Sequence, residues 1–500
     1  MDRRTFLGGL AAASGWGTAA TTPPELDFAS AADAARAVRT RRISARELTE
    51  LAFRRIDRYN PRINAVVVQF REKALEDARK ADAAVARKEK LGPLHGVPIT
   101  VKESYNVAGA LTTVGIKGLP NSRAAANAVT VDRLLAAGAI LLGKTNVPLG
   151  LTDWQSYNEV YGVTHNPWDL KRTPGGSTGG GAAALAAGLG HLTMGSDIGG
   201  SIRVPAHFCG VYGHKPSIDL IPSRGEMIGP QGQPPAYLPA LAVVGPLARS
   251  ANDLRLALEI TAGPDVDDAH AYRWTLPAPR QTRLSQFRVG YVLDDKICPV
   301  ASDVAAALEN ALSALGKAGV KLERGWPEGI NPEAQLNTYM HLLGAALGAG
   351  FDARTIEAFK ALGGAEAVFA TAASGSYTAF RRAMEQRLAA QAAWRRYFSS
   401  HDVFLLPTAF VAAFPHDHSF MPSRRLATGE GPRSYMDMIR WIAPATLTGL
   451  PATTAPVGRT TNGLPVGLQI LGPYLEDATP IEFAARMAEV VGGFTPPPLS

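Results

Sequence analysis

Four stretches of this 500-residue chain carry residue types able to do chemistry. Lys102 ends the apolar run 97–101, where an amine taken out of water gives up its proton more easily and can act as a base. Ser177 lies in Gly175-Gly-Ser177-Thr-Gly-Gly-Gly181, and Ser201 in Gly195-Ser-Asp-Ile-Gly-Gly-Ser201-Ile-Arg203-Val-Pro205. Glycine at this density permits close approaches that other residues forbid. A serine hydroxyl is a weak nucleophile until a base takes its proton, so these residue types fit acyl transfer. The fourth stretch, Gly138-Ala-Ile-Leu-Leu-Gly143-Lys144-Thr145, matches the phosphate-loop pattern letter for letter.

The phosphate-loop reading fails on physical grounds. Such a loop needs a strand, a flexible turn and a helix, in that order. Here a helical segment precedes, the supposed turn is apolar and strand-like, and Asn146-Val-Pro148 follows. Gly175-Gly-Ser177-Thr-Gly179 also fits the nucleophile elbow G-x-S-x-G. An elbow needs an apolar strand directly before it, which Lys171-Arg-Thr-Pro174 is not, and a late histidine, for which His401, His416 or His418 would have to serve. An α/β-hydrolase-like esterase with Ser177 as nucleophile stands as the second reading.

Three segments together resemble the amidase signature family: Gly96-Val-Pro-Ile-Thr-Val-Lys102-Glu103, Pro174-Gly-Gly-Ser177-Thr-Gly-Gly180 and Gly195-Ser-Asp-Ile-Gly-Gly-Ser201-Ile-Arg203. Gly143-Lys-Thr-Asn-Val-Pro148, Cys209-Gly-Val-Tyr-Gly-His-Lys-Pro216, Gly245-Pro-Leu-Ala-Arg249 and Gly463-Leu-Pro-Val-Gly-Leu-Gln469 extend the likeness along the chain. The resemblance implies an amidase with a Ser–cis-Ser–Lys triad. Ser201 would be the nucleophile, Ser177 the proton relay on a cis Gly176–Ser177 peptide, and Lys102 the base. It also implies that Ile198, Gly199, Gly200 and Ser201 offer main-chain N–H groups to the developing oxyanion, with Thr178 in the substrate-binding region. Asp197 and Arg203 would brace that loop. Thr178 stands where the family often has a second serine, and Glu103 where many members have aspartate. A glutamine-using transamidation subunit is a specialised relative, and a non-catalytic binding protein on the same fold is a further alternative.

The elements that must position these residues read as an α/β fold. Helical patterns at 31–38 and 45–59 are followed by a β-rich run at 63–70 and a charged helix over 71–90. Ser44-Ala-Arg-Glu47 forms a capping box, and Asn60-Pro61 is expected to stop the second helix. Strands are expected at 97–101, 139–142, 287–292, 403–406, 452–456 and 465–471, with helices at 129–137, 182–187 and 304–318. The expectation is a large twisted mixed β-sheet flanked by helices on both sides, forming one catalytic domain over 21–500. A helical insertion at about 330–400 would shape the substrate site, together with 151–157 and 221–238. Those last two carry Trp154, Tyr157, Met227, Ile228 and Tyr237, with few charges beyond Asp153, Arg224 and Glu226. An apolar pocket for aryl or aliphatic amides, carbamates or esters is the expectation.

Composition limits the partners. The chain is 46% hydrophobic and only 19% charged, with a formal net charge of +7. Its basic residues are dispersed over apparent helix faces instead of clustered, so no nucleic-acid partner is expected. The start, Met1-Asp-Arg3-Arg4-Thr-Phe6-Leu7 followed by a small-residue apolar run, resembles a twin-arginine export signal over 1–20. Export to the periplasm without a stable membrane anchor is expected. No cofactor or metal site is expected: His416-Asp417-His418 is read as a solvated loop, and Cys209 and Cys298 as buried, unpaired thiols. A homodimer is implied by the resemblance alone.

Overall fold

The computed structural model describes residues 26–119, 123–226 and 241–499. The expected export segment 1–20 lies outside the described residues, as do Met227, Ile228 and Tyr237.

Short apolar runs form the centre of the molecule. The strands are β1 (Val66–Gln69), β2 (Pro98–Lys102), β3 (Ile140–Thr145), β4 (Leu192–Asp197), β5 (Tyr212–Lys215) and β6 (Val243–Ala248), followed by β7 (Arg288–Tyr291), β8 (Lys321–Arg324), β9 (Val403–Pro407), β10 (Ala452–Arg459) and β11 (Pro465–Leu471). They join in one 11-stranded sheet of order β1-β3-β2-β4-β6-β5-β10-β11-β9-β7-β8. Pairs β3–β2, β2–β4, β9–β7 and β7–β8 are parallel, while β1–β3, β4–β6, β10–β11 and β11–β9 are antiparallel. Strands β2, β3, β4, β6, β9 and β11 are buried along their whole length. That burial requires cover on both faces, and helices supply it. The expected mixed sheet is therefore what the chain forms.

Three local expectations change. The capped helix Ala45–Ile63 passes through Pro61 instead of stopping before it. The missing proline N–H would have paired with the carbonyl of exposed Asp57, which water can serve. The end is fixed a turn later, where Asn64 takes a left-handed conformation and the Asn60 side chain bonds the main chain of Ala65 and Val66. The next helix, Arg71–Ala86, ends before residue 90. The helix expected from 182 starts within the glycine run, as Gly179–Ala186. Packing against neighbouring main chain replaces helix propensity there: a Cβ on Gly180 would lie 2.4 Å from Asn146 N.

Residues 330–400 are helical as expected, in Pro332–Leu347, Ala353–Leu362, Gly364–Ala372 and Tyr377–Tyr397. Asn331, Asp352 and Ser376 cap three of these. Phe351, Phe359 and Phe369 lock the first three together by edge-to-face contacts, with centroids 5.4–5.9 Å apart. Cys209 and Cys298 are free and buried, as expected. Lys144 of the refused phosphate loop is a buried strand residue whose Nζ donates to Thr112 Oγ1 at 2.8 Å and faces Glu103 at 3.8 Å.

Candidate active site

Three separate chain segments converge at the ends of β2 and β4. Lys102 is the last residue of β2, with its side chain wholly buried. Ser177 lies in the turn that leads into helix Gly179–Ala186, and Ser201 follows β4 just before helix Arg203–Cys209. Lys102 Nζ donates to Ser177 Oγ at 2.7 Å. The Thr178 N–H donates to the Ser201 carbonyl at 3.1 Å, which ties the two serine segments side by side. The Gly176–Ser177 peptide is cis, as the family resemblance implies. No β-strand leads into Ser177, so the elbow geometry is missing, and its hydroxyl partners a lysine where an elbow would have a histidine. His401, one of the histidines that reading needed, is paired with Glu323.

The extra methyl of Thr178 has a prepared place. A Cβ on Gly195 would lie 2.6 Å from both Thr178 Cγ2 and Oγ1, so the bare glycine of β4 is what lets Thr178 pack on the sheet.

The loop after β4 is held from three directions. Asp197 Oδ1 accepts from Gly200 N at 2.9 Å, and Oδ2 accepts from Ile202 N at 3.1 Å. Arg203 closes a two-pronged ion pair on the same carboxylate, at 2.7 and 3.0 Å. The guanidinium then reaches Thr446 Oγ1, Gln469 Oε1 and Ile442 O. Burial alone would raise the Asp197 carboxyl, but Arg203 and the loop N–H groups hold it below its usual range. One expectation is corrected here. The Gly200 N–H is turned into Asp197 and so does not face a substrate oxygen; with φ +89°, Gly200 provides the bend that makes this possible. Two residues not foreseen in this role fix the loop's other side: Tyr339 Oη donates to Ile198 O at 2.8 Å, and Trp154 Nε1 to Gly199 O at 2.7 Å.

Ser201, Ile198 and Gly199 open on an apolar cavity of about 80 Å³, space for several water molecules. Its walls come from Leu151 to Trp154, from Met340, Leu343, Leu347, Phe351, Phe359 and Phe369 of the helical stretch together with Glu366, which Arg440 pairs at 3.3 Å, and from Met421, Met436 and Ile439. The last three lie in a segment whose sequence carries no periodic signal. Of the charges expected near the pocket, Asp153 is neutralised by Arg424 at 2.7 Å and held by the Tyr157 and Tyr435 hydroxyls. Arg224 lies away from the pocket, paired with Asp265 on the surface. Glu226 is buried and held by Ser104 at 2.8 Å, two residues beyond Lys102, so that its charge acts on the amine.

Burial pushes the Lys102 amine down to about 8, against the pull of Glu226 and Asp197. A group so placed can hold a proton or release it near neutral pH. Lys102 also donates to Ser196 Oγ at 2.8 Å, a partner that only the parallel pairing of β2 with β4 brings within reach.

A mixed α/β sheet presenting a lysine–serine pair and a second serine beneath an apolar cavity is the framework of a serine-dependent hydrolase. The sequence profile of the Amidase family matches residues 47–480, and the chain belongs to that family. It is 34% identical over 487 residues to an acylamidase of Rhodococcus erythropolis, covering 94% of this chain and 97% of that protein. It is 32% identical to a glutamyl-tRNA(Gln) amidotransferase subunit of Thermosynechococcus vestitus, covering 87% of this chain and 92% of the relative. Among solved structures, 6-aminohexanoate cyclic dimer hydrolase superposes with a TM-score of 0.76 at 28% identity, over 95% of this chain and 99% of that one. The protein is an amide hydrolase.

Proposed function

We propose that the chain hydrolyses amides of apolar aryl or aliphatic acyl groups through an acyl-enzyme on Ser201. Neutral Lys102 takes the proton of Ser177 as Ser177 takes that of Ser201, and Ser201 Oγ bonds to the substrate carbonyl carbon. The N–H groups of Ile198, Gly199 and Ser201 receive the charge that gathers on the carbonyl oxygen. The relay then returns a proton to the nitrogen as the C–N bond breaks. Water, deprotonated by the same relay, releases the acid and restores Ser201. The single observation that carries this reading is the buried 2.7 Å contact of Lys102 with Ser177, next to the segment bearing Ser201.

The acyl preference follows from the methionine and phenylalanine walls of the cavity, which repay burial of an apolar group, while the two carboxylates that line it, Asp153 and Glu366, are already paired with Arg424 and Arg440. The test is Ser201→Ala against a chromogenic anilide, alongside labelling by a fluorophosphonate. Loss of both turnover and label supports the assignment. Undiminished turnover refutes it, and label lost only in Ser177→Ala would favour the elbow instead. The twin-arginine-type start supports a periplasmic location, which sets the chain apart from a cytoplasmic transamidation subunit. Fractionation of cells producing the full chain and its Arg3→Lys, Arg4→Lys variant tests it: equal periplasmic recovery would refute twin-arginine export.

A further inference from the structure

Lys102 is held from two sides. Its Nζ donates to Ser177 Oγ on one side and to Ser196 Oγ, at 2.8 Å, on the other. Glu226, a residue only 1% exposed, is close enough for the Ser196 hydroxyl to act on its carboxyl. Ser104, two residues beyond Lys102, donates its hydroxyl to Glu226 Oε1 at 2.8 Å, and the Tyr105 main chain pairs with that of Glu226. The segment that carries the amine therefore also anchors the carboxylate. Glu226 Oε2 is buried without a hydrogen bond, a costly state for a carboxylate unless its charge is used.

The groups facing Lys102 narrow the explanation. They are the hydroxyls of Ser177 and Ser196 and the carboxylates of Glu226 and Asp197. Asp197 is already matched by Arg203 at 2.7 Å, with Lys215 behind it. Glu226 faces the neutral Tyr105 phenol, which donates to Gly195 O, and Lys102 is its only cationic neighbour among the groups that act on it. Burial raises the Glu226 carboxyl, while Lys102, Ser104 and Ser196 draw it back down.

We propose that Glu226, acting with Ser196, is a positioning residue for Lys102: it balances the charge of the amine and holds it against Ser177 throughout the proton relay. The lysine is thus clamped between a hydroxyl that leads to the substrate and a hydroxyl backed by a carboxylate. This rests on Lys102 being the base. A free amine swinging in the same cavity would lose its line to Ser177, and a bare one would give up its proton too readily to return it to the leaving nitrogen.

The test is the pH profile of kcat/KM. Glu226→Gln keeps the shape and the Ser104 contact but removes the charge, so its acid limb should move to lower pH by about one unit. Glu226→Asp, which keeps the charge, should leave the limb near the wild-type position. Ser196→Ala should lower kcat roughly tenfold with KM within a factor of two. An acid limb of folded Glu226→Gln that superimposes on the wild type overturns the proposal, and so does an unaltered kcat in Ser196→Ala, which serves equally if the Gln variant does not fold. The underlying reading fails separately: Lys102→Met that still turns over would remove the base itself, whatever the Glu226 variants do.

Discussion

Replacing Asp197 by asparagine changes almost no volume, yet it removes the charge on which the loop before Ser201 is built. The carboxylate accepts from the main chain of Gly200, Ile202 and Arg203 and twice from the Arg203 guanidinium. Both side chains of the pair are fully buried. Removing one partner of a buried pair strands the other, at a cost of about 3–5 kcal/mol. The amide must also aim an N–H₂ at donors on one of its two sides, which adds to that cost. Urea unfolding followed by tryptophan fluorescence should therefore show Asp197→Asn destabilised by about 4 kcal/mol. Because Gly200 and Ile202 flank Ser201, kcat on an anilide should fall about 100-fold, in the range for losing an oxyanion donor. Arg203→Met should be costly too, since it abandons Thr446, Gln469 and Ile442 O. The double variant should then be at least about 1 kcal/mol more stable than the sum of the singles, because neither leaves a lone buried charge. An Asp197→Asn protein within about 1 kcal/mol of wild type and with wild-type kcat would refute the argument.

The remaining predictions concern the pocket, the base and the thiols. Leu347→Phe narrows the cavity from its helical wall, so kcat/KM for a bulky aryl anilide should drop roughly tenfold while an acetyl anilide is spared; equal losses on both would show that the wall does not select. With Lys102 held at about 8 and needed neutral, kcat/KM should rise with pH and level off above that value, and a profile flat from pH 6 to 9 would count against Lys102 as the base. Burial raises both thiols, Cys298 to about 12 and Cys209 beyond the ordinary range. Native protein should not react with a thiol-disulfide reagent, whereas denatured protein should titrate two thiols without prior reduction.

Much of the site was legible because its chemistry needs local context. Lys102 announces itself at the end of an apolar strand, and the glycines around Ser177 and Ser201 mark close main-chain packing. What was not legible depends on contacts between distant segments. Strand β4 reads Leu-Thr-Met-Gly-Ser-Asp, half polar and resembling a loop, because its last residues face the site and not the core. Tyr339 looks like any core aromatic until its hydroxyl is seen on Ile198 O, 141 residues away in sequence. Ser196 lies inside the Gly195–Arg203 motif but nothing there marks it as a partner of Lys102, and Glu226 carries no motif; only the register of β2 against β4 brings Ser196 to Lys102. The direction of the Gly200 N–H is hidden for a related reason: a glycine's amide direction is set by what it bonds, here Asp197, and the sequence shows the residue without the direction.

The partners of Lys102 lie 75 and 94 residues away along the chain. An amine at the end of β2 has neither acceptor until the two strands have paired and the glycine turn has docked on them. Before that it is an ordinary solvated ammonium, unable to serve as a base. On this reading cleavage waits for assembly, and recovery of turnover during refolding reports that the middle of the sheet has closed and that the helices carrying Tyr339 and the cavity wall have docked on it.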